Sequence, residues 1–410
     1  MSDAPEHPIR LVVTDDLRRS RLTVFFRLLL AIPHLLWLAL FTIAAFFVAL
    51  VNWFATLATA HSPKGLHDFL AGYLRYATQV FAYLFLAANP WPGFYVGTEQ
   101  RAYPVDVEIA PPARQNRWVT GFRLFLVIPA GLAAGALAGG GATANSRGGT
   151  SGGVSSIATL LVWFSALVRG RSPRGLRDFI AWGVGYTAQV YAYLFLLTDR
   201  YPNIDPAVFL EALEQPEAEG RARLANNDDH RRSRLSVFFR LLLALPHIVW
   251  LLLWSIAAIL AGIANWFVTL VRGTPAAPLV RFLSAYIRYS AHVSAFLWLV
   301  ANPFPGFVGA AGSYPVDVEI PEAGRQNRWI TGFRIVLAIP ALLLNSALGW
   351  LQLVVALLLW FASLVLGRSP VGLQRAGAYA IGYGAQLNCY LYALTDRYPH
   401  SSPLAVLERA

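Results

Sequence analysis

Residues 26–54 read FRLLLAIPHLLWLALFTIAAFFVALVNWF, and the pattern returns three more times along the chain. Its fixed points are a Phe-Arg pair, a Pro six positions after the Arg, and a Trp-Phe pair at the far end. They fall at Phe26-Arg27, Pro33 and Trp53-Phe54, then at Phe122-Arg123, Pro129 and Trp163-Phe164. The third set is Phe239-Arg240, Pro246 and Trp266-Phe267, and the fourth is Phe333-Arg334, Pro340 and Trp360-Phe361. A repeat on this scale defines architecture before chemistry. Pro33 to Trp53 is 20 positions, as are Pro246 to Trp266 and Pro340 to Trp360. At about 1.5 Å per residue this is about 30 Å, the thickness of a hydrocarbon core. The Trp at the far end then falls at headgroup level.

Composition agrees with a membrane protein. Of 410 residues, 56% are hydrophobic and 13% charged, against roughly 25% charged in a soluble domain. The net charge is +11, carried by Arg apart from Lys64, which suits contact with anionic lipid headgroups. Basic residues do not alternate with stacking aromatics, so nucleic acid is not expected as a partner. Cys389 is the only cysteine, which excludes intrachain disulfides and cysteine-rich metal sites. The polar first ~20 residues carry no signal-peptide pattern, so the first apolar segments are expected to stay as anchors.

Outside the apolar stretches the second half copies the first. Arg18-Arg19-Ser20-Arg21-Leu22 returns as Arg231-Arg232-Ser233-Arg234-Leu235, and Tyr103 to Ile109 returns as Tyr314 to Ile320. Residues 1–215 and 216–410 therefore form two membrane halves, with units at about 8–100, 101–210, 221–312 and 313–410. The units run in the same direction along the sequence, which suggests parallel repeats about an axis along the membrane normal. Each unit reads in four pieces. A short strand such as Val105–Ile109 alternates Val with acids and belongs in water. An amphipathic helix from Arg19 to Ile32 is expected in the interface, with a bend at Pro33. An apolar span follows. A more polar helix then opens at Ser62-Pro63, Ser172-Pro173, Thr274-Pro275 or Ser369-Pro370, where Ser or Thr can cap and Pro suits the first turn. The expected fold is an all-α polytopic membrane protein. It has about eight transmembrane helices, interfacial helices and short extramembrane β-segments, in four tandem parallel repeats. One insertion breaks the pattern: Pro129 to Trp163 is 34 positions, with a Gly-rich stretch around Gly139–Gly153. It reads as an extruded loop or as a broken helix lining a site.

Candidate site residues come from matched positions. Arg27, Arg123, Arg240 and Arg334 read as interfacial arginines that snorkel to lipid headgroups or bind an anion. Asp68 and Asp178 in the first half stand where Arg281 and Arg375 stand in the second, which suggests pairing between halves. Gln79, Gln189 and Gln386 are equivalent, with His292 in the fourth place, and read as interhelical hydrogen-bonding groups. His34 and His247 follow their prolines and read as interfacial rather than metal-ligating. No nucleotide-binding glycine loop, metalloprotease His-Glu pair or catalytic Ser elbow is present, so no catalytic residue, metal or cofactor is assigned.

The Phe-Arg-to-Pro and Trp-Phe elements, with Ser172-Pro173-Arg174-Gly175-Leu176 and Thr198-Asp199-Arg200-Tyr201-Pro202, mark a resemblance to a known family. The chain resembles the actinobacterial membrane proteins grouped as domain of unknown function 4389, in tandem copies over nearly its whole length. That resemblance implies an actinobacterial plasma membrane as setting and brings no assigned activity. The expected role is a structural, interaction or lipid-organising protein or accessory subunit, with anionic membrane lipids as partners and any protein partner unidentified. The alternatives are a transporter or channel for a small solute and, more remotely, a membrane enzyme. Counting Arg18, Arg19, Arg21, Arg114 and Arg117 on one side, the positive-inside rule puts both termini in the cytoplasm. The polar second-helix residues crowd toward the Ser-Pro turns, so no through-going water cavity is expected.

Overall fold

In a computed structural model describing residues 7–94, 103–139, 153–210 and 220–407, the first repeat opens on a strand (β1, Ile9–Val13) and a five-residue helix (α1, Arg21–Phe25). Phe26, at φ −90° and ψ 8°, ends α1 and starts a 33-residue helix (α2, Arg27–Thr59). Helix α2 is continuous through Pro33, so the expected three-turn helix ending at Pro33 is corrected. Pro33 removes one backbone donor. At about 1.5 Å per residue α2 is about 50 Å long, well beyond a hydrocarbon core of about 30 Å. A 21-residue helix (α3, Lys64–Leu84) packs back against it.

The second repeat contributes a strand (β2, Val105–Ile109) and a helix (α4, Arg117–Ala138), whose Asn116 cap accepts from the amides of Trp118 and Val119. Helix α4 passes through both Arg123 and Pro129 without a break. The line is interrupted after Gly139 and resumes as α5 (Val154–Arg169). Residues 140–152, which hold most of the Gly-rich insertion, lie outside the described residues. The two edges nearly touch: a Cβ on Gly153 would come within 2.3 Å of the Gly139 nitrogen. Then follow α6 (Arg174–Leu194) and α7 (Pro206–Leu210).

The second half repeats this as β3 (Arg223–Asn226), α8 (Arg234–Phe238), α9 (Arg240–Arg272) and α10 (Ala277–Leu297). It continues with β4 (Val316–Glu319), α11 (Arg328–Leu366), α12 (Val371–Leu391) and α13 (Pro403–Val406). Without an insertion, α11 is one helix of 39 residues where α4 and α5 are two. The chain forms two compact units, Met1–Leu213 and Glu214–Ala410. Among the described residues four helices, α2, α4, α9 and α11, are long and apolar enough to cross a membrane.

Within each unit the two repeats run antiparallel. Near the end of α2, the Trp53 indole donates to the Thr120 carbonyl at the start of α4 (2.9 Å). Near the end of α5, Trp163 donates in turn to Val24 in α1 (3.2 Å). His61 bridges Arg114 and Arg18 bridges Arg171. The second unit matches: Trp266 donates to Thr331 (2.7 Å), and Arg231 bridges Arg368. The axis relating neighbouring repeats is therefore perpendicular to the helices, not along them as expected of parallel repeats. The count of arginines placed Arg18 and Arg114 at the same end of the helices. They lie at opposite ends, so that argument for cytoplasmic termini loses its premise.

Each unit also carries a two-stranded antiparallel ribbon. Strand β1 pairs with β2 from Ile9↔Ile109 to Val13↔Val105, and β3 pairs with β4 from Arg223↔Glu319 to Asn226↔Val316. The ribbons lie along the second helices: Arg75 of α3 donates to the Val107 carbonyl, and Arg288 of α10 to Val318 (3.1 Å). Ile9, Val107, Leu224, Val316 and Val318 are buried beneath them.

Candidate functional site

The four arginines after Phe point inward. Arg27, Arg123, Arg240 and Arg334 are at most 2% exposed. Each guanidinium meets backbone carbonyls at the C-terminal end of the polar helix in its own repeat. Arg27 donates to Tyr83 (2.5 Å) and Ala88 (2.8 Å), and Arg240 to Phe296 (2.5 Å) and Ala301 (2.8 Å). Arg123 donates to Tyr193 (2.5 Å) and Thr198 (2.8 Å), and Arg334 to Tyr390 and Thr395 (2.9 Å). The separation from Arg to the first acceptor is 56 residues in three repeats and 70 in the second; the added 14 are the insertion. Each guanidinium also lies 4.2–4.8 Å from the centroid of an aromatic ring on that helix.

Helix ends leave carbonyls unpaired and carry partial negative charge, and a forked cation answers both. Here the need is acute. The residues just past these helices, Leu86, Leu196, Leu299 and Ala393, hold left-handed backbone (φ 57° to 64°) where glycine is usual. These side chains are thus placed in the protein interior, away from the headgroups that the sequence reading gave them.

A second group, eight residues earlier, completes each clamp. In the first and third repeats it is Arg19 or Arg232, donating to the carbonyls of Leu86 and Ala87 or of Leu299 and Val300. Each is neutralised by a buried carboxylate, Asp15 at 2.7 Å or Asp228 at 2.8 Å. In the second and fourth repeats a neutral amide does the same work. Gln115 donates to Leu196 and Gln326 to Ala393 (2.7 Å), while their side-chain oxygens accept from Arg123 (2.9 Å) and Arg334 (2.6 Å). Sequence inspection missed this group, although Arg19, Gln115, Arg232 and Gln326 stand at matched positions.

The expected polar row on the second helices binds the ribbons. Gln79 donates to Asp106 (3.3 Å), Gln189 to the Ile9 carbonyl (3.2 Å) and Gln386 to the Ala222 carbonyl (2.8 Å). His292 meets Asp317 at 2.8 Å. Burial pushes the Asp106 carboxyl above the usual carboxylate range, against the pull of the Val107 amide and Arg75. Burial acts the same way on Asp317, but hydrogen bonds from His292 and the Gly312 and Val318 amides outweigh it and hold its pKa low.

The signs differ. Asp317 stabilises the fold above its unfolded pKa, and that contribution is lost as pH falls through its lowered folded value. Asp106, with a raised folded value, gains stability as pH falls through it. Asp317→Asn should therefore cost about 2 kcal/mol at pH 7, shrinking toward zero below the carboxylate range. Asp106→Asn should show no such acid recovery. Thermal melts of the two variants at pH 7 and pH 3 check this.

The charged residues expected to pair between halves have different surroundings. Asp68 meets His67 at 3.4 Å and Asp178 meets Arg177 at 2.8 Å, the latter pair almost wholly buried. Arg281 is exposed and Arg375 half-buried. Beside Arg375, Gln374 stands where Arg177 does in the first half; it exchanges hydrogen bonds with Asn226 (2.9 and 3.1 Å). His34 and His247 are fully buried. Each bonds a tyrosine hydroxyl, Tyr76 or Tyr289, at 2.8 Å. Each is flanked by two rings of the loop after the second helix, Trp91 and Phe94 or Phe304 and Phe307, at 4.4 Å. Among the described residues no group of three or more His, Cys, Asp or Glu could hold a metal ion.

Two cavities occupy matched places in the two units, between the paired polar helices and the apolar ones. The first, about 310 Å³, is lined chiefly by Leu38, Tyr73, Leu74, Phe81, Val184 and Tyr191. The second, about 230 Å³, has a different lining: Ser290 and Ser294 of α10, Asn345 and Gln352 of α11, and Asn388 of α12. By the repeat offsets, Ser294 replaces Phe81, Asn388 replaces Tyr191 and Asn345 replaces Ala134. This polar lining around the buried Gln352, present in the second cavity and not the first, was not recognised from sequence. Its signal lay in comparing the two halves position by position. Gln79, Gln189 and Gln386 line neither cavity.

The family model described as domain of unknown function 4389 matches residues 21–95, 151–204, 234–308 and 328–402. No curated protein and no solved structure matches the chain. Three of the matched segments span the arginine, its apolar helix and the polar helix it clamps, whereas 151–204 holds α5 and α6 but not Arg123. With these segments making up more than half of the sequence, the chain belongs to the family of domain of unknown function 4389.

Proposed function

We propose that this is a lipid-organising membrane protein whose first half lies flat within one leaflet rather than crossing the bilayer. The observation that carries this reading is the two-faced section of that half. Leu28, Leu36, Phe47, Phe54, Phe125 and Leu160 leave a wide apolar face open along α2, α4 and α5. Covering each such side chain is worth roughly 1.5–3 kcal/mol, so acyl chains are the natural cover. The ribbon is charged: Arg10 and Glu108 pair at 3.6 Å with side chains 53% and 46% exposed. This pair sits level with Arg75, near the middle of α3. A helix crossing the bilayer would carry such charges near its midplane, at about 2.5–3.5 kcal/mol for each charged side chain.

Cations lie at both ends of the slab: Arg18, Arg21 and Arg171 at one, Lys64, Arg114 and Arg117 at the other, all exposed. A flat module would set them around its rim, within reach of anionic headgroups. The roles expected of a scaffold fit this arrangement, and the repeated clamps would keep the apolar face rigid.

The test uses single cysteines at Arg18, His61 and Glu108 in a Cys389→Ser background, Cys389 being fully buried. A membrane-impermeant maleimide applied to sealed vesicles should label all three from the same side. Labelling of positions 18 and 61 from opposite sides would show α2 spanning the bilayer and restore the multi-span reading.

A further inference from the structure

We propose that the cavity between α10, α11 and α12 binds the neutral, hydroxyl-bearing headgroup of a membrane lipid, with Gln352 acting as both donor and acceptor. The proposal rests on the lipid-facing reading above and extends it to a particular chemistry. Gln352 is 5% exposed, lines the cavity, and neither its side-chain nitrogen nor its oxygen has a hydrogen-bond partner. An unpaired buried amide is costly unless something supplies the missing bonds. Ser290, Ser294, Asn345 and Asn388 are all partly accessible and face the same space. Hydroxyls and amides both give and take hydrogen bonds, so the lining suits a group that does likewise.

The lining also excludes other ligands. No charged side chain is part of it, so a phosphate or an ammonium group would enter uncompensated. A purely apolar occupant would leave Gln352 unpaired. At about 230 Å³ the space is below the range of about 300–1,000 Å³ typical of drug-sized ligands, which favours one ring or a short polyol over a whole lipid. The mouth points to where the rest of the molecule would lie. Gly349 lines the cavity and is itself exposed. Next to it on α11, Trp350 is 62% and Leu353 38% exposed. A sugar ring seated against Gln352 would therefore trail its acyl chains along an open apolar helix face. In the first half Phe81 and Tyr191 stand at the positions of Ser294 and Asn388 and line the matched cavity with rings, so the amide- and hydroxyl-lined site belongs to the second half.

The experiment incorporates the full-length protein into nanodiscs holding equal amounts of monoglucosyl diacylglycerol and phosphatidylglycerol. Lipid retained on release is read by native mass spectrometry. The glucosyl lipid should be retained about tenfold over its share. Gln352→Leu should reduce this about tenfold, as expected from loss of one or two hydrogen bonds. Ser294→Phe with Asn388→Tyr, which copies the side chains of the first half, should do the same by replacing a hydroxyl and an amide of the lining with rings, and it decides alone if Gln352→Leu fails to fold. No preference for the glucosyl lipid, or a preference unchanged in these variants, overturns the proposal and leaves a water-filled cavity. Displacement of the lipid by free glucose at equal concentration overturns the lipid source and points to a soluble polyol. Cysteine labelling at positions 18, 61 and 108 reads the flat-module proposal separately, so either idea can fail without the other.

Discussion

Arg334→Ala should destabilise the second half by about 3–5 kcal/mol, the range for stripping a partner from a buried charged network. The substitution leaves the Tyr390 and Thr395 carbonyls and the Gln326 side-chain oxygen without their donor. It does so at a helix end where Ala393 already holds left-handed backbone. Arg334 is fully buried. Arg334→Lys should recover only part of the loss, because a single ammonium lacks the fork that reaches two acceptors in different directions. Thermal melts and limited proteolysis of the purified protein in detergent check this, with cleavage expected to begin in residues 220–407. A shift smaller than about 1 kcal/mol would mean that the clamp is dispensable. Lipid-headgroup binding would then return as the reason for the arginine.

Asp228→Ala should cost a similar ~3–5 kcal/mol by leaving the Arg232 guanidinium buried and unneutralised. The side chains of the pair are 1% and 0% exposed. The repeats themselves suggest the rescue. Gln326 stands where Arg232 does, one repeat on, and donates to Ala393 without a carboxylate of its own. Adding Arg232→Gln to Asp228→Ala should therefore restore most of the lost stability, whereas Arg232→Gln alone should strand Asp228. Melting temperatures of the three variants form the cycle. If Asp228→Ala alone is neutral, the carboxylate does not neutralise Arg232 in the way the 2.8 Å contact implies.

Much of the molecule was legible from the chain alone, and the reason is periodicity. Apolar runs of helical length, their fourfold return, and strands alternating Val with acids are one-dimensional patterns, and local geometry turns each into an element. Repeat boundaries, polar second helices and ribbons follow from such patterns. The helix break at Phe26 and the continuous passage through Pro33 do not.

Direction was the larger gap. Copies that read the same way in sequence pack antiparallel in space, because the indoles of Trp53 and Trp163 meet the start of the opposite repeat. A linear pattern carries no record of that pairing. Arg27 shows the same limit on a smaller scale. Its position on a helix face was visible from residue 27, but its acceptor lies 56 residues away. An arginine beside an apolar stripe turns outward to phosphates or inward to carbonyls according to which acceptors are near, and only the tertiary fold brings the end of the polar helix to it. Gln352 completes the contrast. Its identity is plain in the sequence, but that its amide is buried and unpaired beside Ser294 and Asn388 depends on three helices meeting, and only the tertiary structure decided it.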